Sequence, residues 1–238
     1  MKQVSAWLTL LFTASFVLSP ALTSPFSGFR SEQLPFPQID PPIQPAGYAF
    51  SIWGLIYGWL VVSAVYGLLR RGNDTAWDRA RGPLIISLAV GTPWLAVANA
   101  SAIWATVLIF VMAVTAIAAL LRTPASDRWW LRAPVAIYAG WLTAASFVSL
   151  GSTAAGYGIL FDSMGWAYAG IIGALAVGLL VQRSAAAAPE YGATLIWALV
   201  GIIIGNGLTL NPVTLLAVAG VAVIAVATLM FNRNARPA

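Results

Sequence analysis

Three aromatic residues early in the chain have the type and spacing to form a binding wall for a flat apolar molecule. Phe50, Trp53 and Tyr57 occur at i, i+3 and i+7, so a helix would place their rings on one face. A proline- and glycine-containing stretch, residues 45–47, comes directly before them. Such a face could bind a ligand by stacking and apolar burial, but ordinary helix packing gives the same spacing. Both interpretations stay open at this point.

The residue types that most enzymes use are missing from this chain. It contains no histidine and no cysteine, which removes the commonest general base, the commonest metal ligand and every thiolate. The carboxylates of Asp74, Asp78 and Asp127 stand among arginines in polar segments, where solvation and pairing account for them. The sequence therefore predicts no catalytic set, no metal site and no certain cofactor. An intramembrane enzyme would have to work without a buried acid or base.

The composition indicates which solvent surrounds the aromatic face. The chain has 238 residues, of which 60% are hydrophobic and 8% are charged, and its mean hydropathy is +0.85. Soluble domains carry roughly 25% charged residues. A soluble fold of this size could not bury so much apolar surface. We therefore predict an all-α protein, a polytopic bundle of transmembrane helices whose main partner is the lipid bilayer.

The apolar segments predict how many helices cross the membrane. A span needs roughly 20 apolar residues, and eight segments come close to that length. They are residues 4–22, 48–69, 84–100, 103–121, 134–155, 165–182, 191–208 and 213–231. The third and fourth segments are almost contiguous, which predicts a tight antiparallel hairpin. The first could instead be a cleaved signal peptide, which would leave seven spans.

The basic residues predict the orientation of these spans. If the N-terminus is cytoplasmic, all 12 lysines and arginines except Arg30 fall on the cytoplasmic side. The positive-inside rule therefore predicts that both termini are cytoplasmic. The net charge of +5 is interpreted as an orientation signal, so no nucleic-acid partner is expected.

The longest segment outside the spans, residues 23–47, is here called the lid loop. It contains six prolines and three phenylalanines, so it is too apolar for a freely solvated loop. We predict that it folds back over the exterior mouth of the bundle. Two glycine pairs, Gly54 with Gly58 and Gly201 with Gly205, have the spacing of close helix contacts. Each pair could serve internal packing or a homodimer face.

Two later spans carry further aromatic side chains. Trp94 follows Pro93 in the third span, where the proline is expected to kink the helix. Tyr138, Trp141 and Ser149 fall near one face of the fifth span. Three helices thus offer aromatic groups, which either line a shared pocket or form an aromatic core.

The segment 45–57 resembles a known family signature. It is similar to the motif before and within the second helix of the tryptophan-rich sensory protein family, also called the translocator protein, TspO/MBR or peripheral benzodiazepine receptor family. Phe50, Trp53 and Tyr57 match that motif directly, whereas Ala46 and Tyr48 replace a proline and a tryptophan of its usual form.

Weaker similarities follow in the expected order. Trp94 resembles the family's third-helix tryptophan, although Gly91 stands where an asparagine is usual. Tyr138 and Trp141 resemble the aromatic element of the fifth helix. Ala144 and Ser149 replace the later phenylalanine and asparagine of that element.

The resemblance implies a domain organisation and a location. It covers roughly residues 4–155 and implies a five-helix core over 1–155, which includes the lid loop. Residues 156–238 would form about three additional C-terminal transmembrane helices, as in a longer bacterial branch of the family. A bacterial inner-membrane location is implied in the same way.

The resemblance also implies a function. Family members bind porphyrins, haem-type tetrapyrroles or sterol-like lipids and have sensory or regulatory roles, and Trp-dependent porphyrin breakdown is a further activity to consider. The implied ligand-binding residues are Tyr48, Phe50, Trp53, Tyr57, Trp94, Tyr138, Trp141 and Ser149. The alternative is a small-solute transporter, which eight spans and a proline-containing third helix permit. The lack of buried charges counts against that alternative.

Overall fold

The chain folds into a bundle of α-helices. The computed structural model describes residues 2–26 and 28–234, and these contain eight α-helices. They are α1 Lys2–Leu18, α2 Ile52–Arg71, α3 Thr75–Ala100, α4 Ala102–Leu120, α5 Ala133–Gly156, α6 Ser163–Ser184, α7 Pro189–Gly205 and α8 Pro212–Asn234. The predicted all-α polytopic bundle is confirmed.

Seven of the eight helices are long and apolar enough to cross a membrane, and α7 is shorter. The sequence predicted a span over residues 191–208, but α7 has 17 residues and ends at Gly205. Its end has a local cause, because Gly207 and Leu208 adopt positive φ values of 69° and 58°. The protein is an integral membrane protein whose seventh helix is shorter than its apolar sequence predicts.

The connection between α3 and α4 is as short as the sequence predicts. Ser101 alone separates the two helices. It has an extended backbone, and its Oγ accepts a hydrogen bond from the Trp104 backbone N at 3.4 Å. Further back, α3 continues as one helix through Pro83 and Pro93, so Pro93 does not interrupt it.

Helix α5 occupies the centre of the bundle. It packs against α2, α4, α6 and α7, and 20 of its 24 residues are buried. Its many alanines, glycines and serines permit close approach of neighbouring backbones. At Gly140, for example, a Cβ atom would lie only 2.8 Å from the Tyr191 backbone O in α7.

The core is continuous across the domain boundary expected at residue 155. Trp141 and Leu142 of α5 belong to the same buried cluster as Tyr191 and Leu195 of α7 and Ile224 of α8. The C-terminal helices thus share a core with the first five and complete the burial of α5.

A buried arginine caps the C-terminal end of α2. Arg81 is only 2% exposed, although it carries a full charge. Its guanidinium donates hydrogen bonds to the backbone oxygens of Gly67 at 3.0 Å, Arg71 at 2.9 Å and Gly72 at 3.2 Å. These carbonyls lie at the C-terminal end of α2, where intrahelical donors run out.

Asp127 holds the connection between α4 and α5 against α2 and α3. Its carboxylate accepts from Arg71 Nε at 2.7 Å and from Trp77 Nε1 at 3.0 Å. The hydrogen bond from Arg71, supported by the one from Trp77 and by the charge of Arg71, holds the pKa of Asp127 below its ordinary value.

We expect the Asp127→Asn substitution to lower the thermal unfolding midpoint of the detergent-purified protein at pH 7. The loss should be about 1 kcal/mol, because the pair is partly open to solvent. A lowered folded pKa stabilises the fold above the unfolded value of about 3.9 and loses that contribution as the pH falls through the folded value. The difference between the two proteins should therefore begin to shrink as the pH falls below about 4 and vanish only below the lowered pKa of Asp127 in the folded protein.

The matched control is Asp40→Asn, because Asp40 is an exposed aspartate that also has positive φ, 45° against 56° at Asp127. Asp40→Asn should leave the thermal unfolding midpoint unchanged both at pH 7 and below about pH 4. Equal midpoints for the two variants at pH 7 would contradict a stabilising role of the Asp127 pair.

Candidate ligand-binding site

A cavity of about 290 Å³ lies beneath the lid loop, between the first five helices. This volume is at the lower edge of the roughly 300–1,000 Å³ typical of small-molecule sites. Eight aromatic rings line it: Phe16, Phe26, Phe29, Phe50, Trp53, Tyr57, Trp94 and Trp141. The cavity therefore has the aromatic character that the sequence motif indicates.

The rings before and within α2 form one wall of the cavity with a ring of α5. Trp53 stacks on Tyr57 with centroids 5.2 Å apart and planes 26° apart. The edge of Trp141 meets Trp53 at 6.3 Å and Phe50 at 5.7 Å. The helical spacing of the motif thus brings Phe50, Trp53 and Tyr57 together and directs them at α5.

Trp94 forms part of another wall, on α3. Its indole Nε1 donates to the Ala105 backbone O of α4 at 2.9 Å, which fixes the ring across the hairpin. The ring also meets Phe26 of the lid loop edge to face at 5.3 Å. Trp94 therefore links the hairpin to the lid.

Phe16 of α1 is a cavity residue that the sequence did not reveal. It contacts Trp53, Tyr57 and Tyr138 edge to face, with centroids 5.4–5.9 Å apart. At Gly91 a Cβ atom would lie 2.7 Å from the Phe16 ring, so the glycine leaves room for that ring. The sequence contained one indication of this contact: a glycine in the third span, Gly91, which can accept an aromatic ring from the first span, Phe16.

Two of the residues implied by the family resemblance lie outside the cavity lining. Tyr138 is fully buried behind Phe16, and its hydroxyl pairs with Ser87 Oγ at 2.9 Å. Tyr48 is 41% exposed and packs its ring against Trp197 of α7 at 5.4 Å. Both support neighbouring elements. The other six residues line the cavity: Phe50, Trp53, Tyr57, Trp94, Trp141 and Ser149.

The lid loop is held at its C-terminal end by α7. The Ala46 backbone N donates to the Gly201 backbone O at 2.9 Å. A Cβ atom on Gly201 would lie 2.9 Å from the Ala49 Cβ, and one on Gly205 would lie 2.7 Å from the Gln44 backbone O. This glycine pair therefore serves an internal contact, in which an extended chain lies directly against a helix.

Further hydrogen bonds fix the rest of the lid loop. The Phe36 backbone N donates to the Gly156 backbone O of α5 at 2.8 Å. Asn206 Nδ2, just after α7, donates to the Pro42 backbone O at 2.9 Å. Arg30, the only basic residue assigned to the exterior side, donates from Nη2 to the Asn99 backbone O at 3.0 Å. The loop is thus attached to α3, α5 and α7.

The other glycine pair has a different environment. A Cβ atom on Gly54 or Gly58 would have no atom within 4 Å among the residues that the structure describes. This face of α2 is therefore open to the bilayer, and its use in a homodimer stays a prediction.

The polar atoms of the cavity are uncharged. Among the described residues, no lysine, arginine, aspartate or glutamate lines it. Ser149 Oγ pairs with Thr106 Oγ1 at 2.7 Å, whereas Ser152 Oγ is buried and has no hydrogen-bond partner within the part of the chain that the structure describes. Such a set can bind and orient an apolar molecule, but it offers no acid–base pair.

The whole bundle falls within one protein family. The family model described as TSPO-like protein matches residues 5–230, which include α6 to α8 as well as the five helices around the cavity. No curated protein and no solved structure gives a significant match. Since the family match extends over nearly the whole chain, the lid loop and aromatic wall included, the protein belongs to the TSPO-like family.

Proposed function

We propose that the protein binds a flat hydrophobic molecule, a tetrapyrrole or a sterol-like lipid, in the cavity beneath the lid loop. One observation carries the proposal: eight aromatic rings, from α1, α2, the turn just before α2, α3, α5 and the lid loop, surround an uncharged space. Ring pairs contribute roughly 0.5–1.5 kcal/mol each beyond area burial. Burial itself adds about 25 cal/mol per Å² of apolar surface.

The size of the cavity bears on how a ligand enters. At about 290 Å³ the space suits a small polycyclic or polyene molecule. A whole tetrapyrrole would require the lid loop to move outward. The attachment of this loop to α7 through Ala46 and Gly201 supports a role for α7 in that movement.

A sensory or regulatory role follows from this attachment. Ligand that displaces the lid loop changes the contact between residues 44–46 and α7, and α7 packs against α6 and α8. Occupancy of the cavity is thereby transmitted to the C-terminal helices. With both termini in the cytoplasm of a bacterial inner membrane, the lid would face the exterior and the ends of α6 and α8 the interior.

The first test replaces two rings of the cavity wall. We expect Trp53→Leu combined with Trp141→Leu to raise the Kd for protoporphyrin IX dimethyl ester at least about tenfold, because two aromatic faces are lost. Binding is followed by the shift of the porphyrin absorption band, so the readout does not depend on the replaced tryptophans.

The control replaces two tryptophans that face the bilayer, Trp7 and Trp104, which are 58% and 62% exposed. Leucine at both positions should leave the Kd unchanged. Equal Kd values for both double variants would count against binding in this cavity. Uptake of small solutes into proteoliposomes, with no porphyrin binding, would favour the transporter alternative.

The second test compares the two glycine pairs. We expect Gly205→Ala to increase the dissociation rate of bound porphyrin several-fold, because the new Cβ would lie 2.7 Å from the Gln44 backbone O and displace the lid loop. Gly58→Ala is the matched control, since none of the described residues has an atom within 4 Å of the added Cβ. Stopped-flow dissociation measures both. Identical rates for the two variants would show that the contact between lid and α7 does not control release.

A further inference from the structure

We infer that the ligand of this cavity is uncharged and carries one oxygen function, a hydroxyl or a carbonyl, which pairs with Ser152 near the lid loop. The inference rests on the proposed function and specifies the class of molecule that the cavity takes. It comes from the hydrogen bonds of α5 and from the charges of the lining.

Ser152 differs from the other hydroxyl residues of α5. Thr143 and Ser146 donate to the backbone oxygens one turn earlier, at 2.9 Å and 2.7 Å. Ser149 and Thr153 both pair with Thr106 of α4, at 2.7 Å and 2.9 Å. Ser152 is only 5% exposed, and its Oγ has no hydrogen-bond partner within residues 2–26 and 28–234.

An unpaired buried hydroxyl is costly in this environment. A buried polar group without a partner destabilises a protein, and the hydrocarbon core supplies no water in its place. The three turns of α5 that line the cavity thus contain one hydroxyl whose hydrogen bond is unmade. Rotation of the Ser152 side chain about χ1 would turn its buried Oγ toward the cavity, where a ligand oxygen would complete the bond.

The position of Ser152 orients the ligand. It follows Trp141 by 11 residues (152 − 141), which is close to three helical turns, so both side chains lie on one face of α5. Along the axis they are about 16 Å apart at 1.5 Å per residue. Ile43 of the lid loop lies next to Gly151, which places Ser152 at the lid end. The ligand therefore has its rings against Trp141 and Trp53 and its oxygen beneath the lid.

The lining also selects against charge. None of the described side chains that line the cavity is a cation or a carboxylate. Arg30 is on the lid loop, but its guanidinium bonds to the Asn99 backbone O, and Arg30 does not line the cavity. A carboxylate transferred into such a site loses its hydration without gaining a counter-ion, which disfavours its binding.

Retinol and retinoate provide a direct test, because they share one ring-bearing skeleton and differ in the terminal group. We expect retinol to bind the purified protein at least about tenfold more tightly than retinoate, measured by energy transfer from tryptophan or by competition with protoporphyrin IX dimethyl ester. Ser152→Ala should weaken retinol binding about 3- to 10-fold, the value of one neutral hydrogen bond.

A second readout separates this role from a structural one. Because Ser152→Ala removes an unpaired polar atom, the ligand-free variant should unfold at the same temperature as the natural protein or at a higher one. Ser146→Ala is the control: it lies outside the cavity and loses a bond to Leu142, so it should unfold at a lower temperature with unchanged retinol selectivity.

The two measurements test the two parts of the inference separately. Equal affinities for retinol and retinoate would overturn the selection against charge, and unchanged retinol affinity in Ser152→Ala would overturn the contact with Ser152. Either result leaves the proposed function standing if the Trp53 and Trp141 double variant still loses binding. No saturable binding of retinol, retinoate or the porphyrin ester would overturn both the inference and the proposed function.

Discussion

The bundle depends above all on how closely helix backbones can approach the central helix α5. In hydrocarbon there is no hydrophobic force between helices, so association depends on close packing and on hydrogen bonds. Gly140 permits the approach of α7, and Thr106 of α4 pairs with both Ser149 and Thr153. Because α5 is held from several sides, Trp141 has a fixed position from which to face the rings of α2.

Much of the architecture could be predicted because a bilayer leaves a strong signal in sequence. Apolar length predicted the helices, and a spacing of three and four residues predicted the wall of Phe50, Trp53 and Tyr57. The same periodicity did not reveal that Trp141 lines the cavity whereas Tyr138 does not. Three residues turn a helix through about 300°, so neighbours on one broad face can meet different partners. Tyr138 therefore packs against α1, while Trp141 meets α2.

The remaining features depend on contacts between distant segments. Phe16 packs beside Gly91, and Ala46 lies against Gly201. Neither contact has a local sequence pattern, because each joins two segments that are far apart in the chain. The unpaired state of Ser152 is equally invisible in sequence, since its neighbours of the same residue type are all bonded. The end of α7 at Gly205 reflects backbone geometry at Gly207 and Leu208 that hydropathy does not report.

The shortness of α7 has a consequence for how the membrane acts on this protein. Seventeen residues span about 25 Å, whereas the hydrocarbon of a typical bilayer is about 30 Å thick. The helix that holds the lid loop is thus about 5 Å shorter than the hydrocarbon core is thick. A short helix is accommodated when the bilayer thins around it or when flanking side chains reach out to the interface. If the lid loop moves as proposed, the acyl-chain length and order of the lipids would act on the contact between residues 44–46 and α7. A change in bilayer thickness would then favour or oppose movement of the loop even without a ligand.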